Sequence, residues 1–453
     1  MAQERIPRRS HWSTALVVAG AVACAAGQAG AAGFAIYEQS VKGLGNAFAG
    51  GAAAAEEPST IFFNPAGLTL LKGQQAVAGI HFIQTHFEFD NSGSTHALTP
   101  ITGEGLTGDN GGDGGTLGVV PNFYYSATLE NGLAFGLGVN APFGLATDWE
   151  EGWVGRYHAL RSDLKSVNIN PSAAYKFGKN LSVGAGLSAM YLWAELGQAV
   201  DFGTILAAAG GTPQRDDGEA TLEADSWGFG YNLGALWEFN ENTRLGVAYR
   251  SRVKQELEGD ADFDVPDKAQ AILNALGSGA FQDVDANGDI TLPDTFSVSL
   301  YHRYSPKLAV MADATWTHWA TFDELTIEFD NPEQPDSVTT ENWKNTWRFA
   351  VGATYNPTPR WPLRFGLAFD ESPVPDAEHR TPRLPDNDRI WLSLGSGYQV
   401  NDWFSFDVGY THLFVEDADV DKDPIGEDYT RGGLQGEFTN SGDIFSAQVN
   451  ARW

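Results

Sequence analysis

The sequence holds a single cysteine, Cys24. A disulfide scaffold and a Cys-rich metal site are therefore excluded. Basic residues are scarce: 28 Lys and Arg face 58 Asp and Glu, a formal charge of −30. That balance excludes a general nucleic-acid binder, which needs basic surface to displace counterions. Charged residues total only 19%, below the roughly 25% of ordinary soluble domains. Beyond the amino terminus no apolar run approaches the length of a membrane-spanning helix. Catalytic signatures are absent too: no G-x-S-x-G elbow, H-E-x-x-H or phosphate loop occurs. Gly43-Leu44-Gly45-Asn46-Ala47-Phe48 ends in Phe where a dinucleotide fingerprint needs Gly or Ala. No enzyme is expected. What is plentiful is glycine, 52 of 453 residues, and aromatic side chains, 12%. Such a composition points to a large all-β protein.

The amino terminus reads as an export signal over residues 1–31. Arg5, Arg8 and Arg9 precede an apolar stretch from Thr14 to Ala26, and small residues crowd Ala29 to Ala32. This is the three-part pattern of a secretory signal peptide. Cys24 lies within the removed part. A lipidated Cys24 would want a large aliphatic residue three positions earlier, where Ala21 stands.

The rest alternates with period two. In Ile444 to Trp453, Phe445, Ala447, Val449, Ala451 and Trp453 share one face, and Ser446, Gln448, Asn450 and Arg452 the other. Trp343 to Tyr355 and Trp403 to Phe414 repeat the pattern. Connections alternate short and long. Short ones fall near 130–132, 178–180, 240–242, 305–307, 356–360 and 401–402; long ones near 90–117, 142–166, 197–221, 261–290, 320–342, 372–388 and 416–440. Six turns and seven loops imply 14 strands with both ends on the short-turn side. Even strand number and this asymmetry predict a bacterial outer-membrane β-barrel over 74–453, apolar side chains to lipid and polar ones to the lumen. Lipid supplies no hydrogen bonds, so the sheet must close. Trp237 and Phe239 are expected in one aromatic girdle, and Trp316 and Trp343 in the other.

Residues 32–73 lack alternation but carry a substantial apolar load, including Phe34, Leu44, Phe48, Ile61, Phe62 and Phe63. Such a segment ahead of a barrel is expected to fold inside it as a plug.

Several stretches then match one family. They are Gly43 to Gly50, Asn64-Pro65-Ala66, Pro142 to Thr147, Gly366 to Pro375 and Leu384 to Trp391. In order and spacing the chain resembles the FadL family, outer-membrane transporters of long-chain fatty acids and other hydrophobic compounds. The resemblance implies a monomer of 14 strands, delivered to the outer-membrane lipid by the barrel assembly machinery, which recognises a terminal aromatic strand. It also implies a hatch containing Asn64, Pro65 and Ala66. A ligand would be captured among extracellular loops, pass to a tighter pocket beside the hatch, and leave sideways at a kinked strand. The third strand ends in Gly138, Asn140 and Pro142. Pro142 cannot donate to a ladder, and the resemblance places the lateral exit here.

Other candidates come from the residues themselves. Phe202, Ile205 and Leu206, and Ile272, Leu273 and Leu276, form apolar stripes in two long loops. They are read as a capture groove, or as loops that only pack on each other. A carboxylate out of water needs a cation. Inward-facing cations are expected at Arg250, Arg252, Arg303, Lys344, Arg348, Arg364 and Arg389. Arg348 leads as the ligand's partner, followed by Lys344 and Arg389; charge pairing across the lumen is the alternative. Asp283, Asp285, Asn287, Asp289 and Asp294 match the spacing of a calcium loop, so a structural Ca²⁺ is one reading and a solvated acidic loop the other. No other cofactor is expected. Long-chain fatty acids are the expected cargo, with aromatic or alkane hydrocarbons as alternative. A general porin and a surface adhesin remain as further readings.

Overall fold

The computed structural model describes residues 32–453; the export signal and Cys24 lie outside them. The chain forms a closed antiparallel barrel of 14 strands. The ladder closes where Gln75–Asn91 pairs with Gly436–Arg452. Closure leaves no edge in the hydrocarbon, as lipid requires.

The seventh wall strand, Thr243–Arg250 with Val253–Asp264, is in two pieces, as is the third, Leu133–Asn140 with Gly144–Asp148. The six tight turns fall where expected, for instance between Phe177 and Leu181 and between Asn240 and Thr243. Strand Asp217–Asn240 shows why the wall sits in lipid. Trp227, Phe229, Tyr231, Leu233 and Trp237 are exposed on one face, while Ser226, Asn232 and Leu236 are buried on the other. From Trp227 to Trp237, at about 3.3 Å per residue and a tilt near 40°, this band is roughly 25 Å tall, the thickness of an outer-membrane apolar belt.

Above Trp227 the strands do not stop. Residues 181–201, 217–240 and 284–292 are strand, so parts of the expected loops 197–221 and 261–290 belong to the wall. Here the outer face changes from apolar to acidic: Glu195 lies opposite Glu223, Glu223 opposite Asp260, and Asp260 opposite Asp285. The inner face stays apolar, with Leu192, Ala224, Ala261 and Ile290 buried. Alternating acid with apolar residues looks like loop when charge is weighed, yet its period is that of a half-buried strand.

Residues 33–72 fill the lumen. Val41–Gly45, Gly51–Ala54 and Thr60–Phe63 are short helices, and Pro65–Leu70 is a 3-10 turn. Asn64 organises the last two. Its side chain accepts from the Ala66 amide at 3.0 Å and donates to the carbonyls of Ala52 at 2.7 Å and Ala235 at 3.0 Å. Pro65 starts the turn, where its missing N–H costs nothing. Inward glycines in the wall make room for plug backbone: a methyl at Gly366 would overlap Asn46, and one at Gly246 would overlap Ala52. Arginines then hold the plug by its carbonyls. Arg244 donates to Ala54 and Arg348 to Ala47, each at 2.9 Å.

Candidate transport path

Three cavities run from the extracellular end to the plug. The outermost, about 560 Å³, is lined by Leu196, Leu222, Phe263, Ile327, Phe329 and Val338 from the raised strands, with Ile205 from a loop. It is wide and largely apolar. Leu196, Leu222, Ile327 and Arg383 also line a second, tighter cavity of about 90 Å³. There Leu145, Leu164, Leu257, Ile290, Phe322 and Trp343 complete an apolar wall. Trp343, expected in a girdle, is buried inside instead.

Phe34 of the plug borders this second cavity. Its ring packs on Trp319 at 4.8 Å, Trp343 at 5.6 Å and Phe322 at 5.7 Å. Ala35, Ile36 and Tyr37 line the third cavity, about 70 Å³, with Phe62, Phe63, Pro142, Phe143, Arg250 and Asp313. The plug segment Phe34–Ile36 therefore stands between the two.

The same segment closes a gap in the wall. The second strand, Leu117–Thr128, pairs with the third only from Phe123 to Thr128. After Asn140 the third strand breaks, and Gly144–Asp148 pairs with the fourth strand alone. Gly138 packs below the break against Tyr124 and Ile61. Asn140 donates to the Tyr124 hydroxyl at 3.2 Å. At the break the plug supplies the missing ladder: the Ile36 amide donates to the Pro142 carbonyl at 2.8 Å, and the Gly144 amide to the Phe34 carbonyl at 2.9 Å. The Gln39 side chain caps the Ala141 carbonyl at 2.8 Å.

The structure moves the expected ligand cations. Arg348 is buried, but its guanidinium lies over Tyr37, 4.7 Å from the ring centroid, and Trp391 at 4.9 Å, and its hydrogen bond goes to Ala47. It holds the plug and borders none of the three cavities. Arg389 pairs with Asp386, which also accepts from the Gly33 amide. Lys344 is exposed and borders no cavity either. Arg364 pairs with Asp407 at 2.8 Å, Arg252 is exposed and pairs with Asp294, and Arg303 is exposed at a turn.

The residue missed is Arg383. It sits where the outer two cavities meet. Its donors go to neutral oxygens: Arg161 carbonyl at 3.0 Å, Ser162 Oγ at 3.2 Å and Gln198 Oε1 at 2.9 Å. Among the described residues no ion pair holds it, and Glu341 is the carboxylate that acts on it from across the cavity. Burial, helped by the nearby Arg431, pulls its pKa down to about 9, so it stays charged at neutral pH. Glu341 faces the second cavity too and accepts from Trp343 Nε1 at 2.9 Å. Burial pushes its pKa up to about 7.

The loop stripes divide. Phe202, Leu206 and Leu273 pack on one another, with Ile272 against them. Leu276 is exposed, away from the groove. Of the six, Ile205 alone borders the outer cavity, whose lining comes mainly from strands.

The calcium loop is not formed. Asp285, Asn287 and Asp289 lie in strand Val284–Leu292 on one outer face, where alternate residues stand about 6.5 Å apart and cannot converge on an ion. Asp283 accepts from the Phe263 amide, Asp289 pairs with Lys254, and Asp294 is buried with Arg252 and His318. No three acidic or His side chains among the described residues form a metal cluster.

A closed transmembrane barrel, apolar cavities within it and a plug beside a broken strand define an outer-membrane transport protein. The chain belongs to the outer membrane protein transport family (OMPP1/FadL/TodX), whose profile matches residues 22–453. It is 32% identical to the long-chain fatty acid transport protein of Escherichia coli O6:H1, over 88% of this chain and 91% of that one. It is 33% identical to a putative outer membrane protein of Neisseria meningitidis serogroup B, over 95% and 97%. Among solved structures, a Pseudomonas aeruginosa FadL homologue superposes with a TM-score of 0.84 at 24% identity, covering 93% of this chain and all of that one. The Ralstonia pickettii toluene transporter TbuX gives 0.64 at 20%, covering 91% and 100%. The family is one of transport proteins, not enzymes.

Proposed function

We propose that the protein takes up long-chain fatty acids by passive diffusion. The wide outer cavity captures the chain, the tighter one binds it, and the plug acts as a hatch. The cargo leaves sideways through the gap beside Pro142 into the membrane. Such a route suits a ligand that gains nothing from an aqueous channel. The closed ladder offers no edge for a partner strand, which supports a monomer in outer-membrane lipid.

Arg383 carries the choice of cargo. A guanidinium at the throat of two apolar cavities, satisfied only by neutral oxygens, has a place for an anion. A carboxylate there gains charge-assisted bonds that a neutral hydrocarbon cannot make. The test is displacement of a fluorescent fatty acid from the detergent-folded protein by oleate, methyl oleate and toluene. Oleate is expected to compete best, and Arg383→Ala to weaken oleate more than its ester. Equal losses for acid and ester, or displacement by toluene alone, would turn the reading to hydrocarbon uptake.

A further inference from the structure

A second guanidinium borders the path deeper in. Arg250 lines the innermost cavity, on the far side of the Phe34–Ile36 segment from Arg383. It has no carboxylate partner among the described ion pairs. Nη2 donates to the Phe62 carbonyl at 2.8 Å, Nη1 to Ser188 Oγ at 3.4 Å, and the guanidinium lies 4.2 Å from the centroid of the Phe62 ring.

The carbonyl it holds matters. Phe62 lies in the helix Thr60–Phe63, whose last carbonyls have no partner within the helix. The wall supplies them: Asn232 donates to Ile61 at 2.9 Å and Arg250 to Phe62. Arg244 and Arg348 hold other plug carbonyls in the same way, but neither borders a cavity that cargo reaches. Arg250 alone of the three does. Its cavity extends to Pro142 and Phe143 at the gap. Asp313, on the same lining, would repel an anion and leave the Arg250 end as the place for it.

We propose that Arg250 is the release trigger of the hatch. The anionic head group of the cargo pairs with Arg250 and displaces the Phe62 carbonyl. A carboxylate is a stronger, bidentate acceptor than a carbonyl. Phe62 is then left without its donor in a cavity poor in water, and the plug loosens beside the exit. Cargo opens its own way, and an apolar molecule without charge does not. The inference rests on the fatty-acid reading above.

The test follows hydrogen exchange of plug amides from Ile61 to Leu71 in the full, detergent-folded protein, with oleate or methyl oleate at saturation. Fluorescent displacement reports binding separately. In the wild type, oleate is expected to speed exchange about tenfold or more, the equilibrium change from losing one charged hydrogen bond. Methyl oleate is expected to bind without that effect. In Arg250→Gln, which keeps a donor but no charge, oleate should bind and leave exchange unchanged. Equal acceleration by the ester, or acceleration by oleate in Arg250→Gln, would overturn the trigger. Oleate bound to the wild type without acceleration would overturn it while leaving fatty-acid binding intact. Oleate that does not bind at all would remove the cargo reading and the trigger with it. Should Arg250→Gln not fold, the wild-type comparison of acid with ester decides alone.

Discussion

Ile36 of the plug donates its amide to the carbonyl of Pro142 in the broken third strand, at 2.8 Å. The plug is thus a piece of the wall as well as a stopper. Ala35 and Phe143 face each other across this short antiparallel pairing. They occupy a non-hydrogen-bonded position, where Cα atoms approach to about 4.5 Å, within the range a disulfide spans.

Cysteines placed at Ala35 and Phe143 should therefore bridge under oxidation, in a chain whose one cysteine is Cys24. The bridge is expected to abolish fatty-acid uptake, and a reductant to restore it. Uptake by cells carrying the double variant, with the bridge verified by mass spectrometry, is the measurement. Full uptake with the bridge intact would show that this seam does not open.

Glu341, beside Arg383 on the second cavity, gives binding a pH profile with a definite sign. Glu341 is protonated below about 7, so an arriving carboxylate meets no repulsion from it there. Above that value it is charged and repels the carboxylate, while the Arg383 guanidinium keeps its charge. Affinity for oleate should be highest below about pH 7 and fall as Glu341 ionises, by at most about tenfold per pH unit, the limit for one linked proton. Titration of a fluorescent fatty acid from pH 6 to pH 10 checks this. Glu341→Gln should flatten the profile across neutrality.

Plug seating depends on space at Gly366, where a methyl group would run into the Asn46 backbone. Gly366→Ala is expected to leave a folded barrel with a displaced plug. Heat-modifiable mobility on a gel should persist, and single-channel conductance in planar bilayers should rise above the wild type. Unchanged conductance would mean that the plug adjusts without leaving its seat.

Capture should follow the strands rather than the loop helices. Ile205→Asp with Phe329→Asp puts charge into the outer cavity. Each lost apolar contact of this size is worth about 1.5–3 kcal/mol, so capture should weaken at least tenfold. Leu276→Asp, on an exposed position outside the cavity, should change little. Equilibrium binding of a fluorescent fatty acid separates the two.

Much of this architecture was legible before folding. Period-two alternation and the short turns specify strands locally, because each side chain of a strand points opposite to its neighbour whatever lies around it. Strand number and barrel class follow from those local signals. The raised strands were harder to see. Glu219, Asp264 and Asp285 fall in stretches read as loop, and only pairing shows that they are the outer face of a wall whose inner face is the groove.

Side-chain partners were not legible at all. Arg348 lies on the inward face, as its alternation requires, but the Ala47 carbonyl and two aromatic rings occupy it. Arg383 lies in a stretch without alternation, and nothing in Thr381-Pro382-Arg383-Leu384 marks it. Its significance is that its hydrogen bonds all go to neutral oxygens, a relation among residues distant in the chain. Sequence alone determined which segments are strands and which faces meet lipid, because those depend on neighbours two residues away. Tertiary structure decided which cations are left free for an anion, because partnership depends on which segments the closed barrel brings together around its plug.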